Sequence, residues 1–404
     1  MLIRPDYETA RNVLLENVRT IGTECIPLGE STERILACDL VATQDVPPFP
    51  KSAYDGYAFR SSDTTGASKE APAVFDIIEC IPAGSVPLKA ITPGTAAKVL
   101  TGAPVPDGAD AVVAFEQTSF SETSVSVFAP FKSGANIVRI GEDVEAGAML
   151  AAAGTSIDAG LAGSLAALGI YCPSVYKKPV VGIVSTGNEI VEIDETVPEG
   201  KIRNTNRFVF TAALQKAGCT PIYLGSACDS VQDICDVIER GIDSCDAILL
   251  TGGVSAGDLD KTPDAMQSLG AVLLVQGVSM KPGMACAYGL LRGKLLLGLS
   301  GNPASALTNF YTVCLPAIRK LCGHNNPLPR FFTAALGEDF QKSSHSARLL
   351  RGTLDISSGT AVFSLPKSQG NAVISSAIGC DAFAIIPAES GPVAKGTILK
   401  GFSI

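Results

Sequence analysis

The run Ala247-Ile248-Leu249-Leu250, followed by Thr251-Gly252-Gly253-Val254-Ser255-Ala256-Gly257-Asp258-Leu259-Asp260, constrains this chain more than any other segment. Consecutive apolar residues of this kind read as a strand buried on both faces, as in a parallel sheet. Glycines then open the backbone, so that peptide N–H groups can approach an anion with no Cβ in the way. The acids that close the segment suit a hard divalent cation such as Mg²⁺, which would bridge to substrate phosphate. Strand, glycine loop and paired acids together point to phosphate chemistry. A plain tight turn between strand and helix is the competing reading.

A chain of 404 residues should hold more than one domain. Aromatics are only 6% and Trp is absent, so the cores must be built mainly from Ala, Val, Leu and Ile. Net charge is −9 and no Lys/Arg run occurs, which excludes nucleic acid as the expected partner. An anionic substrate would have to be attracted by local cations, N–H groups or a metal. The twelve cysteines include no Cys-x-x-Cys pair and the only histidines are His324 and His345, so zinc is not expected. The isolated cysteines read as small core hydrophobes. Met1-Leu2-Ile3-Arg4-Pro5-Asp6 carries no signal-peptide h-region. Ala146 to Ile170 is broken by Asp158 and glycines, so no membrane span is read there. The expectation is a cytoplasmic protein with reduced thiols.

Along the chain, Tyr7 to Leu15 has apolar residues near helical spacing, and a Pro-rich break follows at Val46-Pro47-Pro48-Phe49-Pro50. Short alternating runs then read as a small β domain over 46–145. The Ala/Leu/Gly pattern of 146–178 can pack beside 1–45, giving one discontinuous helical or linker domain. Residues 179–323 alternate strand and helix, the mark of a doubly wound α/β domain, and 324–404 read as a C-terminal β domain. Within the α/β stretch, Arg207 to Ala217 is expected to be a helix with Asn206 as N-cap and Gly218 just past its end. Ser230, with Asp233 three residues on, resembles a capping box. The fold class is thus α/β plus β, in a multidomain chain.

Ligands of open α/β sheets sit beyond the carboxyl ends of strands. Three candidate strands here end in special loops: Ser185-Thr186-Gly187-Asn188-Glu189, the glycine loop, and Ser300-Gly301-Asn302-Pro303-Ala304-Ser305. The last leads into a helix, whose first N–H groups suit an anion. Away from these loops, Asp55 in Ser52-Ala53-Tyr54-Asp55-Gly56-Tyr57-Ala58 and Asp143 in Gly141-Glu142-Asp143 are candidate functional acids, with turn capping as the plainer reading. Lys281-Pro282-Gly283 offers a cation on a fixed turn.

These blocks, in this order, resemble the molybdopterin molybdenumtransferase family, which includes the E domain of gephyrin. The resemblance runs through Pro47 to Ala58, Thr101 to Pro106 with Gly108 to Val113, Gly141 to Asp143, Ser185 to Glu189, Lys201 to Arg207, Thr251 to Asp260, Lys281 to Gly283 and Gly301 to Ala306. It implies insertion of molybdenum from molybdate (or tungstate) into adenylylated molybdopterin, with Mg²⁺, releasing AMP and finished cofactor. It also implies an elongated homodimer of four-domain chains, the site lying between the α/β domain of one protomer and the small β domain of the other. On that reading Glu189 and Asp260 would help hold Mg²⁺ on the pyrophosphate, and Asp229 would lie near the nucleotide. Lys281 would attract molybdate or phosphate, and Asp55 and Asp143 would orient water or protonate leaving oxygens. Gly252, Gly253, Ser255 and Gly257, with Gly301, Asn302, Pro303 and Ser305, would hold pterin and phosphate. Thr101, Thr186, Gly187 and Asn206 would complete the substrate contacts.

The chain departs from the family pattern at Val138, where Arg is usual, at Met284, where bacterial members often carry Lys, and at Asn371, where Ser is usual. Ser300 and Tyr54 replace a common Pro and Met. Loss of basic groups at 138 and 284 implies weaker molybdate affinity or an altered anion preference. The alternatives are a molybdopterin adenylyltransferase and a non-catalytic paralogue that binds or delivers molybdenum or tungsten cofactor.

Overall fold

The structure is a computed structural model that describes residues 1–255, 261–357 and 359–404. The chain divides into two compact units, one of Met1–Cys38, Ala153–Asp158 and Cys172–Ile404, the other of Asp39–Ala152 and Ala159–Tyr171.

The first unit is organised by a seven-stranded sheet of β1 (Leu2–Ile3), β2 (Val180–Thr186), β3 (Thr220–Ala227), β4 (Ala247–Thr251), β5 (Val272–Gln276), β6 (Cys286–Leu291) and β7 (Lys294–Leu299), in the order β1-β5-β6-β7-β4-β2-β3. The helices, numbered over the whole chain, are α1 (Tyr7–Glu16), α2 (Ala159–Ala167), α3 (Thr205–Lys216), α4 (Val231–Ile242), α5 (Thr262–Ser268), α6 (Pro303–Asn309) and α7 (Leu315–Leu321). All but α2 belong to the first unit. Alternate strand residues enter different cores. Val181, Ile183, Leu249 and Leu297 pack with α1, α3, α6 and α7, while Val184, Ile248, Leu250 and Leu296 pack with α4 and α5. Both sheet faces are therefore covered, which is why these strands carry runs of consecutive apolar residues such as Ala247 to Leu250 and Leu295 to Leu297. Each such fully buried side chain contributes about 1.5–3 kcal/mol of transfer free energy.

Strand β6 alone runs against its neighbours, antiparallel to both β5 and β7. The sequence pattern passes over it. Its signal is the two-residue turn Arg292-Gly293, with φ of 53° and 77°, which joins β6 to β7 as a tight hairpin. Helix α3 also starts earlier than expected. Asn204, not Asn206, is the N-cap, its side chain accepting from the Arg207 N–H at 3.2 Å, and Asn206 lies inside the first turn. The helix ends as expected before Gly218, at φ 86°. Ser230 caps α4 by accepting from the Asp233 N–H at 3.1 Å.

After α7 the chain forms a second sheet in the same unit. Ala347–Asp355 pairs with both Val362–Ser364 and Ala382–Ile386, and Phe331–Leu336 and Ile398–Ser403 complete a closed, barrel-like ring. Met280–Lys281 adds to the edge of Ala347–Asp355. The second unit is built on a six-stranded sheet that includes Gly56–Phe59, Ala73–Ile81, Thr95–Val99 and Ala111–Ala114, and it carries α2. Among the described residues no helix is long and apolar enough to cross a membrane.

Candidate functional site

The parallel registers that pair Ser185 with Thr251 and Thr251 with Leu299 bring the carboxyl ends of β2, β4 and β7 side by side. The loops that follow line one cavity of about 610 Å³. Thr186, Gly187 and Glu189 come from the first loop; Gly252, Gly253 and Ser255 from the second; Gly301, Asn302 and Pro303 from the third. Asn206 and Asp229 complete the group of predicted residues around it.

Packing between the first two loops leaves no room for a side chain at position 252. A Cβ on Gly252, which has φ 101°, would lie 2.5 Å from both the carbonyl oxygen and Oγ1 of Thr186. The Gly252 N–H donates to the Leu299 carbonyl at 2.9 Å, and Thr262 donates from its N–H to Gly253 O at 2.9 Å and from Oγ1 to Gly252 O at 3.0 Å. Asn206 Nδ2 donates to the Gly301 carbonyl at 2.9 Å, linking α3 to the third loop. Asn206 is 5% exposed and its Oδ1 has no partner. A buried acceptor without a partner, on a residue of the cavity wall, is a group that a ligand bringing a donor would satisfy.

The acids occupy one side. Asp229 Oδ2 accepts from the Asn188 N–H at 3.2 Å, which fixes the first loop against the end of β3. Glu189 is exposed, and its carboxylate occupies the space a Cβ on Gly187 would need. Behind them, Glu192 accepts from Arg207 at 2.6 Å, Tyr223 at 2.9 Å and Asn204 at 3.1 Å. Burial alone would raise the Glu192 carboxyl, but these hydrogen bonds outweigh it and hold the group below its ordinary value. The same burial, together with the Glu192 bond, pushes the Tyr223 hydroxyl up.

Other predicted residues lie elsewhere. Ser305 is buried, with its N–H donating to Asn371 O at 3.1 Å, and it does not line the cavity. Lys281 is exposed on the strand that pairs with Ala347–Arg348, outside the cavity lining; a Cβ on the nearby Gly283, at φ 104°, would lie 3.1 Å from Asn309 Cβ. In the second unit, Asp55 Oδ1 accepts from Thr101 N–H at 2.6 Å and Thr101 Oγ1 at 2.7 Å, and these bonds lower its carboxyl below the usual range. Asp143 in that unit is exposed. Gly257 and Asp260 lie outside the described residues.

One supporting residue has no motif to mark it. Arg351 is 2% exposed and donates to Gly370 O at 2.9 Å, Ser368 O at 3.3 Å and Ser376 Oγ at 2.9 Å. It thereby braces the segment whose Ala372 and Ile374 line the cavity. Its Nη1 has no partner. The available signal was an arginine set among Leu349, Leu350 and Gly352, inside a strand pattern.

Comparison with known proteins agrees along the chain. Residues 6–169 match the MoeA N-terminal region (domain I and II), 182–320 a probable molybdopterin binding domain, and 333–400 the MoeA C-terminal region (domain IV). A Staphylococcus epidermidis molybdopterin molybdenumtransferase is 38% identical over 344 residues, covering 85% of this chain and 82% of that protein. The protein of that name from Bacillus subtilis is 36% identical over 387 residues, covering 94% and 90%. The crystal structure of the molybdopterin biosynthesis MoeA protein from Pyrococcus horikoshii OT3 superposes with a TM-score of 0.85 at 31% identity, over 99% of this chain and 100% of that one. These likenesses define a transferase of molybdenum cofactor biosynthesis. The chain belongs to the MoeA family of molybdopterin molybdenumtransferases.

Proposed function

We propose that this protein transfers molybdenum from molybdate into adenylylated molybdopterin, with Mg²⁺, releasing AMP and molybdenum cofactor. The observation that carries this reading is the cavity lined by Gly252, Gly253 and Gly301 together with Asn206, Glu189 and Asp229. The unpartnered Asn206 acceptor suits an N–H group of a pterin, and the glycine positions of the loops suit close approach of its phosphates.

Glu189 and Asp229 supply hard oxygen donors to the same cavity, a chemistry that fits Mg²⁺. In this reading Glu189 and Asp260 would hold the ion, which would supply charge neutralisation at the pyrophosphate when bound. Asp229 keeps the first loop in place through Asn188. Lys281 draws in the molybdate as a point charge. Asp55, kept ionised by Thr101, and Asp143 orient water or pass protons to leaving oxygens. The working unit is a homodimer. Molybdate is the oxyanion substrate, and tungstate is the competitor to test against it.

The deciding assay is AMP release from adenylylated molybdopterin by the purified protein with Mg²⁺, with and without molybdate or tungstate. Oxyanion-dependent release supports the reading, and Glu189→Ala should abolish it while the fold survives. Tight binding of the adenylylated pterin without oxyanion-dependent release overturns it in favour of a carrier.

A further inference from the structure

Helix α3 has a cavity at each end. Asn204, Thr205 and Asn206 at its start face the glycine loops, while Gln215 and Lys216 at its end face a second cavity of about 610 Å³. The helical run from Pro303 to Leu321 repeats the arrangement, with Pro303 at the first cavity and Arg319 at the second. At about 1.5 Å per residue, α3 sets its two ends roughly 18 Å apart.

The second cavity is rich in cations although the chain carries a net charge of −9. Lys177 and Lys178 follow the strand Ser174–Tyr176, Lys216 and Arg319 end their helices, and Arg330 precedes Phe331–Leu336. Arg34 also lines it but is bound to Glu24 at 2.5 Å. Glu33 is the acid on the wall. Among the described residues, no side-chain carboxylate lies within 4.0 Å of Lys177, Lys178, Arg319 or Arg330. Helix dipoles explain a cation at each helix end, where the partial charge is about −0.5. They do not explain Lys177, Lys178 and Arg330, which lie on no helix. Lys216 is engaged by the Ile404 carbonyl oxygen at 3.2 Å.

The Arg319 charge registers on His324. Burial makes the Arg319 guanidinium easier to deprotonate, and burial together with the Arg319 charge holds the His324 ring below its ordinary value. His324 lines the same cavity. A volume of about 610 Å³ falls within the range of small-molecule sites and exceeds what one phosphate group fills. Thr32, Ser156, Gln215 and Asn326 add neutral polar groups to the wall.

We propose that this cavity binds a small anion bearing two or more phosphate groups, at a site distinct from the glycine-loop cavity. The lysines and Arg330 meet the phosphates, and the neutral groups meet whatever the phosphates are attached to. The site does not depend on the function proposed for the other cavity.

The test uses the full chain and inorganic pyrophosphate as probe, at low ionic strength because exposed charges are screened by salt. Binding is followed by calorimetry and by the ring resonances of His324, one of only two histidines in the chain. Pyrophosphate should raise the His324 titration midpoint, and K177Q/K178Q should weaken binding by about tenfold or more. AMP release at the other cavity should be unchanged in that variant. ADP in place of pyrophosphate separates a nucleotide site from an inorganic one. An unmoved His324 midpoint at about 10 mM pyrophosphate, equal binding by K177Q/K178Q, or an equal response to sulfate overturns the proposal.

Discussion

Asn206 Nδ2 donates to the Gly301 carbonyl at 2.9 Å, so one buried amide of the cavity wall joins the first turn of α3 to the loop after β7 and leaves its own buried oxygen without a partner. Asn206→Asp exchanges that donor for a carboxylate oxygen opposite a carbonyl. Stability should fall by about 1–3 kcal/mol, measured by urea unfolding at neutral pH. Asn206→Ala removes the bond to Gly301 and the unpartnered acceptor, and should weaken binding of the molybdopterin substrate by roughly fivefold to a hundredfold. Unchanged affinity in Asn206→Ala would mean that the open Oδ1 meets no ligand.

Gly252 has no substitute. Its φ of 101° is one that side-chain-bearing residues rarely adopt, and a Cβ there would sit 2.5 Å from Thr186 O and Oγ1. Gly252→Ala should therefore displace the first loop from the second, at a cost of about 1–3 kcal/mol. Ligand affinity should fall with it. Gly293→Ala is the control: its φ is similar at 77°, but nothing lies within 4 Å of the added Cβ. It should lose stability and keep full ligand affinity.

How far the sequence went differs from element to element. Strand β4 and its loop were legible because four apolar residues and then glycines leave few alternatives. The convergence of the three loops followed from strand–helix alternation alone. The cap of α3 was misread because Asn204 and Asn206 stand two apart and both suit the start of a helix. Only the fold decides which one caps the helix, and both line the cavity. Closure of the ring through Ala347–Asp355 and Ala382–Ile386 joins segments distant in sequence, and no local pattern encodes such a pairing. Arg351 was hidden for the same reason, since its acceptors at 368, 370 and 376 belong to a later segment.

That arginine gives a third prediction. Arg351→Met keeps much of the volume but strips the carbonyls of Ser368 and Gly370 of their donor. Loss of these charged hydrogen bonds should cost about 2–4 kcal/mol in denaturant unfolding. Because the braced segment carries Ala372 and Ile374 on the cavity wall, substrate affinity should fall as well. A destabilised variant with unchanged affinity would confine Arg351 to the barrel.

Glu192 makes stability depend on pH in a defined direction. Arg207, Tyr223 and Asn204 hold its folded carboxyl below the ordinary value of 4.5. The unfolded chain therefore takes up the proton first as pH falls, and the folded state loses the benefit. Its contribution is fully present above 4.5 and disappears as pH drops through the lower folded value. Glu192→Gln keeps the hydrogen-bond acceptor but removes the charge facing Arg207. The variant should be less stable than the parent at about pH 6–7, and the gap should narrow as pH falls below 4.5, measured by unfolding at a series of pH values. A gap that stays constant across that range would show that the Arg207 pair acts through packing and not through the carboxylate charge.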